Sequence, residues 1–363
     1  MPRRCRSIGM AAAAMLCMPV TLRAAGGSAL QPTFDEDHKE RINGTMLHFR
    51  VRGVDKRNPY IVILHGGPGF SAHMFYPWGP SIEPSLNVVY LDQRGCGESA
   101  RYKFHSQYVP RPAEIRDLTV ANMVRDIDGV RDYLRVNRWF VLGHSWGGML
   151  GVEYVAAFPE RVIGFIDMDG AISFGKLQDD VLANCITKFT EQAKSGSAND
   201  RDQGQQLLEQ TRKIQAIRPS DPLRLFNALA LALGPAGLYF AGDQPKTFAA
   251  MTAAIQEATR PYHLAPVSLT QSTEPTVALI INDGLTTRDV TPLLPRITAP
   301  TLVVNGDLDG VVTPAMARSA NQGIKGSTLL VLDNCGHFPF VDQPAKTTTA
   351  VLNFVNALST PRQ

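Results

Sequence analysis

Six short apolar runs constrain this chain more than any other feature: Tyr60–Leu64, Val88–Leu91, Trp139–Leu142, Val162–Ile166, Thr301–Val304 and Thr328–Leu332. Each is too short for a helix and most are rich in β-branched residues, the pattern of a strand buried on both faces of a sheet. Between several of them the period changes. Leu118–Val136 sets Val120, Met123, Val124, Ile127, Val130 and Leu134 along one helical face, and a second helical pattern, Gly148–Phe158, follows the third run. Such alternation predicts a mostly parallel, doubly wound α/β sheet. Ahead of the first run, Leu47–Val51 alternates apolar and polar residues behind Asn43-Gly44, a two-residue hairpin signal, so the sheet opens antiparallel.

The rhythm stops near Gly170 and resumes near Pro300. The stretch between reads as helices near Leu177–Lys194, Gln206–Ile217, Pro222–Leu233 and Lys246–Thr259, with the polar tract Lys194–Gln206 expected to be a mobile loop. The predicted organisation is a core in two parts, residues 33–170 and 297–363, with a helical cap, residues 171–296, inserted between them. No internal period of the kind that builds repeat arrays is present.

Before the core, Arg3, Arg4 and Arg6 precede a mostly apolar run, Ile8–Leu22, and the small residues Ala24 to Gly27. This is the layout of a secretory signal peptide, expected to span residues 1–25, and the run falls short of the ~20 apolar residues that cross a bilayer. The expectation is a secreted or periplasmic protein without stable membrane insertion. Loss of Arg3, Arg4, Arg6 and Arg23 takes the formal net charge from +3 to about −1. Neither value marks a nucleic-acid binder. With 44% hydrophobic and 19% charged residues the composition is that of a globular protein and excludes disorder as the main state.

Cys5 and Cys17 lie in the expected leader, leaving Cys96, Cys185 and Cys335, an odd number with no CxxC pair and no disulfide framework. The eight histidines form no HExxH or similar ligand spacing, and no GxxxxGK[ST] loop occurs. The sequence therefore calls for no metal and no cofactor. It sets no oligomeric state.

Gly143-His144-Ser145-Trp146-Gly147 falls where the Trp139–Leu142 strand turns into a helix. A GxSxG in that context lifts a serine hydroxyl above the sheet edge on a turn so sharp that the flanking positions must be glycine. A nucleophilic serine needs a base and an orienting acid, expected later in the chain in the order acid, then histidine. Asp309, just past the Thr301–Val304 strand, and His337, just past Thr328–Leu332, answer that order at strand ends where open α/β sheets bind ligands. Asp307 and Asp169 are the rival acids. The oxyanion hole is expected from the N–H of Trp146 and that of Gly67 in His65-Gly66-Gly67-Pro68-Gly69, with Gly66 as the alternative; Pro68 has no N–H.

The HGGPG loop at His65–Gly69, the segment Asp92-Gln93-Arg94-Gly95-Cys96-Gly97-Glu98-Ser99 and GHSWGG at Gly143–Gly148 together resemble the proline iminopeptidase group of the α/β-hydrolases. The resemblance covers about Lys39–Gly170 and Pro300–Leu358. It implies the α/β-hydrolase fold, the Ser145–Asp309–His337 triad, and an aminopeptidase releasing an N-terminal residue from small peptides. Asp92–Arg94 reads as support for the oxyanion loop, with an ion pair between the two charged residues expected. Proline iminopeptidases hold the substrate's free amine with cap acids, and no such motif matches here; Glu191, Glu209, Glu257 and Glu274 are acids of the right type. Apolar cap residues Leu229, Leu233, Leu238, Tyr239 and Phe240 either line a pocket or pack between helices.

The alternative reading is a small-molecule esterase, amidase, lactonase or carbon–carbon hydrolase on the same triad. Haloalkane and epoxide chemistry is disfavoured because Ser145 stands where those reactions need a carboxylate. A binding protein without activity would leave the intact triad without purpose.

Overall fold

A computed structural model describes residues 32–99, 115–262 and 273–359; the expected leader, with Cys5 and Cys17, lies outside the described residues. Eight strands form a single sheet: β1 (Phe34–Ile42), β2 (Thr45–Gly53), β3 (Tyr60–Leu64), β4 (Asn87–Leu91), β5 (Trp139–His144), β6 (Val162–Met168), β7 (Thr301–Gly306) and β8 (Thr328–Leu332). Their order across the sheet is β1-β2-β4-β3-β5-β6-β7-β8. The pairings are parallel from β4 through β8, and antiparallel between β1 and β2 and between β2 and β4. All six apolar runs are strands of this sheet.

The hairpin turns at Asn43-Gly44, both at positive φ (46° and 77°), the backbone that a two-residue turn between twisted strands requires. β1 carries Asp35, Glu36, Asp37, Lys39, Glu40 and Arg41 at the sheet edge, where charge discourages pairing with another chain. The central strands are apolar on both faces because both are covered. Val62, Leu64 and Val141 pack with α1 (Val120–Tyr133) and α2 (Trp146–Ala157). Ile61, Ile63, Phe140 and Leu142 face the other way, into a cluster that includes Val351 and Val355 of the C-terminal helix.

Between β6 and β7 the chain forms α3 (Phe174–Gln192), α4 (Ala198–Gln215), α5 (Pro222–Leu233), α6 (Gln244–Thr259) and α7 (Thr273–Asp283). After β7 comes α8 (Pro314–Gly323), and after β8 come α9 (Pro339–Asp342) and α10 (Pro344–Ser359). The expected loop at Lys194–Gln206 is corrected: most of it is the first half of α4. Ser197 caps that helix, its Oγ accepting from the Asp200 amide at 3.2 Å while Asp200 Oδ2 accepts from the Ser197 amide at 2.9 Å. The helix expected at Gln206–Ile217 is the second half of α4; few apolar residues mark the first half, so periodicity placed the start too late, although the S-x-x-D start is a capping-box signature. Among the described residues no helix is long and apolar enough to cross a membrane.

Candidate active site

The chain leaves β3 for β4 on one side of it and reaches β5 on the other, a reversal of strand order at whose carboxyl ends open α/β sheets bind their ligands. Ser145 stands there, one residue past β5 and one before α2, with φ 58° and ψ −120°, a conformation rarely adopted by a residue with a side chain. Neighbouring backbone holds it. Its amide donates to the Met168 carbonyl at 3.1 Å, and its carbonyl accepts from Gly148 at 2.9 Å and Ala171 at 3.1 Å. The flanking glycines are dictated by contact, since a Cβ on Gly147 would overlap the Leu64 carbonyl and one on Gly143 the Gly147 carbonyl.

His337 Nε2 lies 3.0 Å from Ser145 Oγ, and its Nδ1 lies 2.7 Å from Asp309 Oδ2. With Nδ1–H donating to the carboxylate, Nε2 is left to accept the serine proton. Asp309 is fixed in turn, its Oδ1 accepting from the amides of Val311 (2.8 Å) and Val312 (2.9 Å). Burial, with His337 at 2% exposure, lowers the imidazole well below its ordinary 6.5 and keeps it neutral. Burial raises the Asp309 carboxyl, against which the two amides act.

The loop carrying His337 is clamped from several sides. Its amide donates to the Tyr239 carbonyl at 2.7 Å, and His144 Nε2 donates to its carbonyl at 2.7 Å. The Tyr239 ring meets the imidazole edge-on at 5.3 Å, while Phe240 stacks on Phe338 at 5.1 Å as ordinary packing. Asp307, the first rival acid, is a loop cap, its Oδ1 accepting from the Cys335 amide at 3.0 Å. Asp169, the second, lies against Asp309: ligand atoms of Asp169, Asp309 and His337 fall within 4.8 Å of one another.

On the other side of Ser145 is the HGGPG loop. A Cβ on Gly66 would come within 3.1 Å of Ser145 Cβ, and Gly67 takes φ 119° before a cis bond to Pro68. Trp146 is the first residue of α2, where a helix leaves N–H groups without internal partners. Within Asp92–Arg94, read from the sequence as support for the oxyanion loop, Gln93 is the residue that gives it, and it also ties the loop to the helix start, which the sequence did not suggest. Gln93 Nε2 donates to the His65 carbonyl at 2.8 Å, and Gln93 Oε1 accepts from the Trp146 indole at 2.9 Å. Gln93 thus braces both the loop and the helix start.

The expected Asp92–Arg94 ion pair is corrected. Asp92 accepts from the Ala72 amide (2.9 Å), the Glu98 amide (3.0 Å) and His48 Nδ1 (2.8 Å). Arg94 instead reaches α1, with Nε donating to Asp126 Oδ2 at 2.7 Å, and Asp117, with Nη1 donating at 3.0 Å. His73 joins His48 and Asp92 in a buried group whose ligand atoms lie within 4.8 Å of one another, a juxtaposition of three segments that no sequence spacing reveals.

Of the four candidate cap acids, Glu191, Glu209 and Glu257 are exposed, whereas Glu274 at the start of α7 is only 5% exposed. Its neighbours meet the site's supporting loops. Pro275 abuts Gly95, and Thr276 Oγ1 donates to the Pro68 carbonyl at 2.7 Å. The described cysteines, Cys96, Cys185 and Cys335, are buried and free.

Residues 59–344 match the family described as alpha/beta hydrolase fold. The chain belongs to the α/β-hydrolases. It is similar to the proline iminopeptidase of Lactobacillus helveticus, with 24% identity over 83% of this chain and 90% of that protein. Among solved structures it is similar to the proline iminopeptidase-related protein of Thermus thermophilus (TM-score 0.63, 23% identity, 90% of this chain and 99% of that one). It is also similar to the enol-lactonase of Burkholderia xenovorans (TM-score 0.58, 21% identity, 88% and 100%). This α/β-hydrolase is therefore a hydrolytic enzyme similar to proline iminopeptidases, and the structural likenesses show its fold.

Proposed function

We propose that the enzyme hydrolyses its substrate through an acyl-enzyme at Ser145, and that the substrate is a small peptide whose N-terminal residue is released. The observation that carries the first part is the continuous series Ser145 Oγ, His337 Nε2, His337 Nδ1, Asp309 Oδ2. Ser145 Oγ attacks the scissile carbonyl as its proton passes to Nε2. The negative oxygen that forms is received by the N–H groups of Trp146 and Gly67, and Asp309 stabilises the imidazolium. His337 then returns the proton to the leaving amine. Water, deprotonated at Nε2, attacks the ester, Ser145 Oγ recovers the proton and the acid is released.

The buried Glu274 supports the aminopeptidase reading, because a carboxylate withdrawn from solvent, two residues from the Thr276 hydroxyl that donates to the Pro68 carbonyl of the oxyanion loop, suits a substrate ammonium. Helices α3–α7 would then serve as the cap. The basic, apolar and small-residue order of the first 25 residues supports export before the enzyme works. A second reading, a small ester or lactone as substrate, is favoured by the exposure of the other three cap acids, which leaves one buried carboxylate to hold an amine.

The test is kcat/KM on prolyl-naphthylamide, its N-acetylated twin and a short-chain nitrophenyl ester. Preference for the free amine by at least about a hundredfold, abolished in Glu274→Gln, supports the aminopeptidase. Indifference to the amine with Ser145-dependent ester turnover moves the enzyme to the small-molecule hydrolases.

A further inference from the structure

Asp169 follows β6 with φ 46°, a backbone region that favours Asp and Asn among residues with side chains. Its amide donates to the Val304 carbonyl at 2.8 Å, and its Oδ1 accepts from Asn305 Nδ2 at 2.7 Å and from the Gly306 amide at 3.0 Å. The side chain is thereby held at the ends of β6 and β7, 1% exposed, against the carboxyl of Asp309. Its other oxygen, Oδ2, is buried and meets no N–H donor.

Two carboxyls in contact in so dry a place cannot both be charged. The donor sets decide which one ionises. Asp309 receives three N–H groups spread over both oxygens, from Val311, Val312 and His337. Asp169 receives two, both on Oδ1, and the oxygen left bare is where a proton is accommodated. We propose that Asp169 is a positioning residue of the triad: a neutral carboxylic acid in the resting enzyme whose O–H donates to Asp309, so that the pair carries one negative charge and the series runs Ser145, His337, Asp309, Asp169. Burial and the charge of Asp309 raise the Asp169 carboxyl, in agreement with this arrangement.

The consequence concerns the strength of the base. A hydrogen bond to the Asp309 anion draws charge away from His337, so Asp169 restrains the affinity of the imidazole for a proton. Among the described residues, the other polar or titratable groups around the pair include Asp307 after β7, Cys335 after β8, Asp342 of α9, Tyr239 ahead of α6, His144 at the end of β5 and Ser145 just past it. The variants below leave all of them in place.

This inference rests on the triad reading and is tested apart from it. Asp169→Asn suits the same backbone and offers Asp309 an N–H in place of the O–H. The infrared spectrum of the resting wild type at pH 7 should hold a protonated-carboxyl carbonyl band that Asp169→Asn lacks; no difference overturns the proposal without any appeal to catalysis. In ester hydrolysis, Asp169→Asn should keep kcat/KM within about threefold and leave the acidic limb of its pH profile in place. Asp169→Ala, which removes the donor, should move that limb upward by about one pH unit. A limb that falls in Asp169→Asn shows an ionised Asp169, and a limb unmoved in both variants shows a bystander; either overturns the proposal. Fluorophosphonate labelling of wild type is the separate control, since its failure sinks the acyl-enzyme reading and leaves the infrared result standing.

Discussion

Replacing Asp167 with Asn should make the enzyme more stable at neutral and alkaline pH, and by more than most single substitutions achieve. Asp167 sits in β6, 1% exposed, with Oδ1 lacking any hydrogen-bond donor and lying where Gly148 and Gly170 approach it. Burial alone pushes its carboxyl up from 3.8 to about 7. Because the folded value lies above the unfolded one, the folded chain binds the proton more tightly. The contribution of Asp167 to stability is therefore fully present below about pH 4, is lost progressively as pH rises towards 7, and stays lost above it. A displacement of about three pH units, at about 1.36 kcal/mol per unit, corresponds to a penalty of about 4 kcal/mol at pH 8. Asn fills the same space without a charge, so Asp167→Asn should gain up to about 4 kcal/mol at pH 8 and little at pH 4. Urea unfolding of both proteins at several pH values measures the difference directly. A difference that does not grow between pH 4 and pH 8 refutes the reasoning, because it shows that Asp167 releases its proton as readily in the folded chain as in the unfolded one.

Other outcomes follow from the site. Gln93→Leu strands the His65 carbonyl and the Trp146 indole N–H in a buried place, at about 1–3 kcal/mol each, so unfolding free energy should fall by about 2–6 kcal/mol and kcat should fall with KM little changed; retained stability contradicts the bracing role. Gly147→Ala drives a methyl group into the Leu64 carbonyl and should lower stability by about 2 kcal/mol or more, read as a drop in Tm. Because burial lowers His337, the neutral base persists to lower pH, and the acidic limb of kcat/KM should lie below pH 6.5; a limb at or above that value contradicts it.

How much of this was readable from the chain depends on how local each signal is. The strands declared themselves because both faces of a central strand must be apolar, and Ser145 did because the elbow is built from adjacent residues. His337 and Asp309 are remote in sequence, yet both stand at strand ends in the expected order, and the structure brings them into line. What escaped depends on long-range geometry. Gln93 lies in the segment read as support for the oxyanion loop, but its second bond, to the Trp146 indole at the start of α2, is one that no spacing reveals. Asp92 and Arg94 lie two residues apart, but the chain turns after β4 and sends one towards His48 and the other towards Asp126. The first half of α4 escaped because it carries almost no apolar period, and which of the four candidate acids is buried could not be read because burial depends on tertiary packing.

The most direct test of the account is covalent labelling of the folded enzyme with a fluorophosphonate, followed by mass mapping of the adduct. The account predicts one adduct per chain, on the peptide containing Ser145, formed in step with loss of turnover and absent from Ser145→Ala. A folded protein that turns substrate over without labelling, or that labels elsewhere and keeps its activity, would contradict an acyl-enzyme at Ser145.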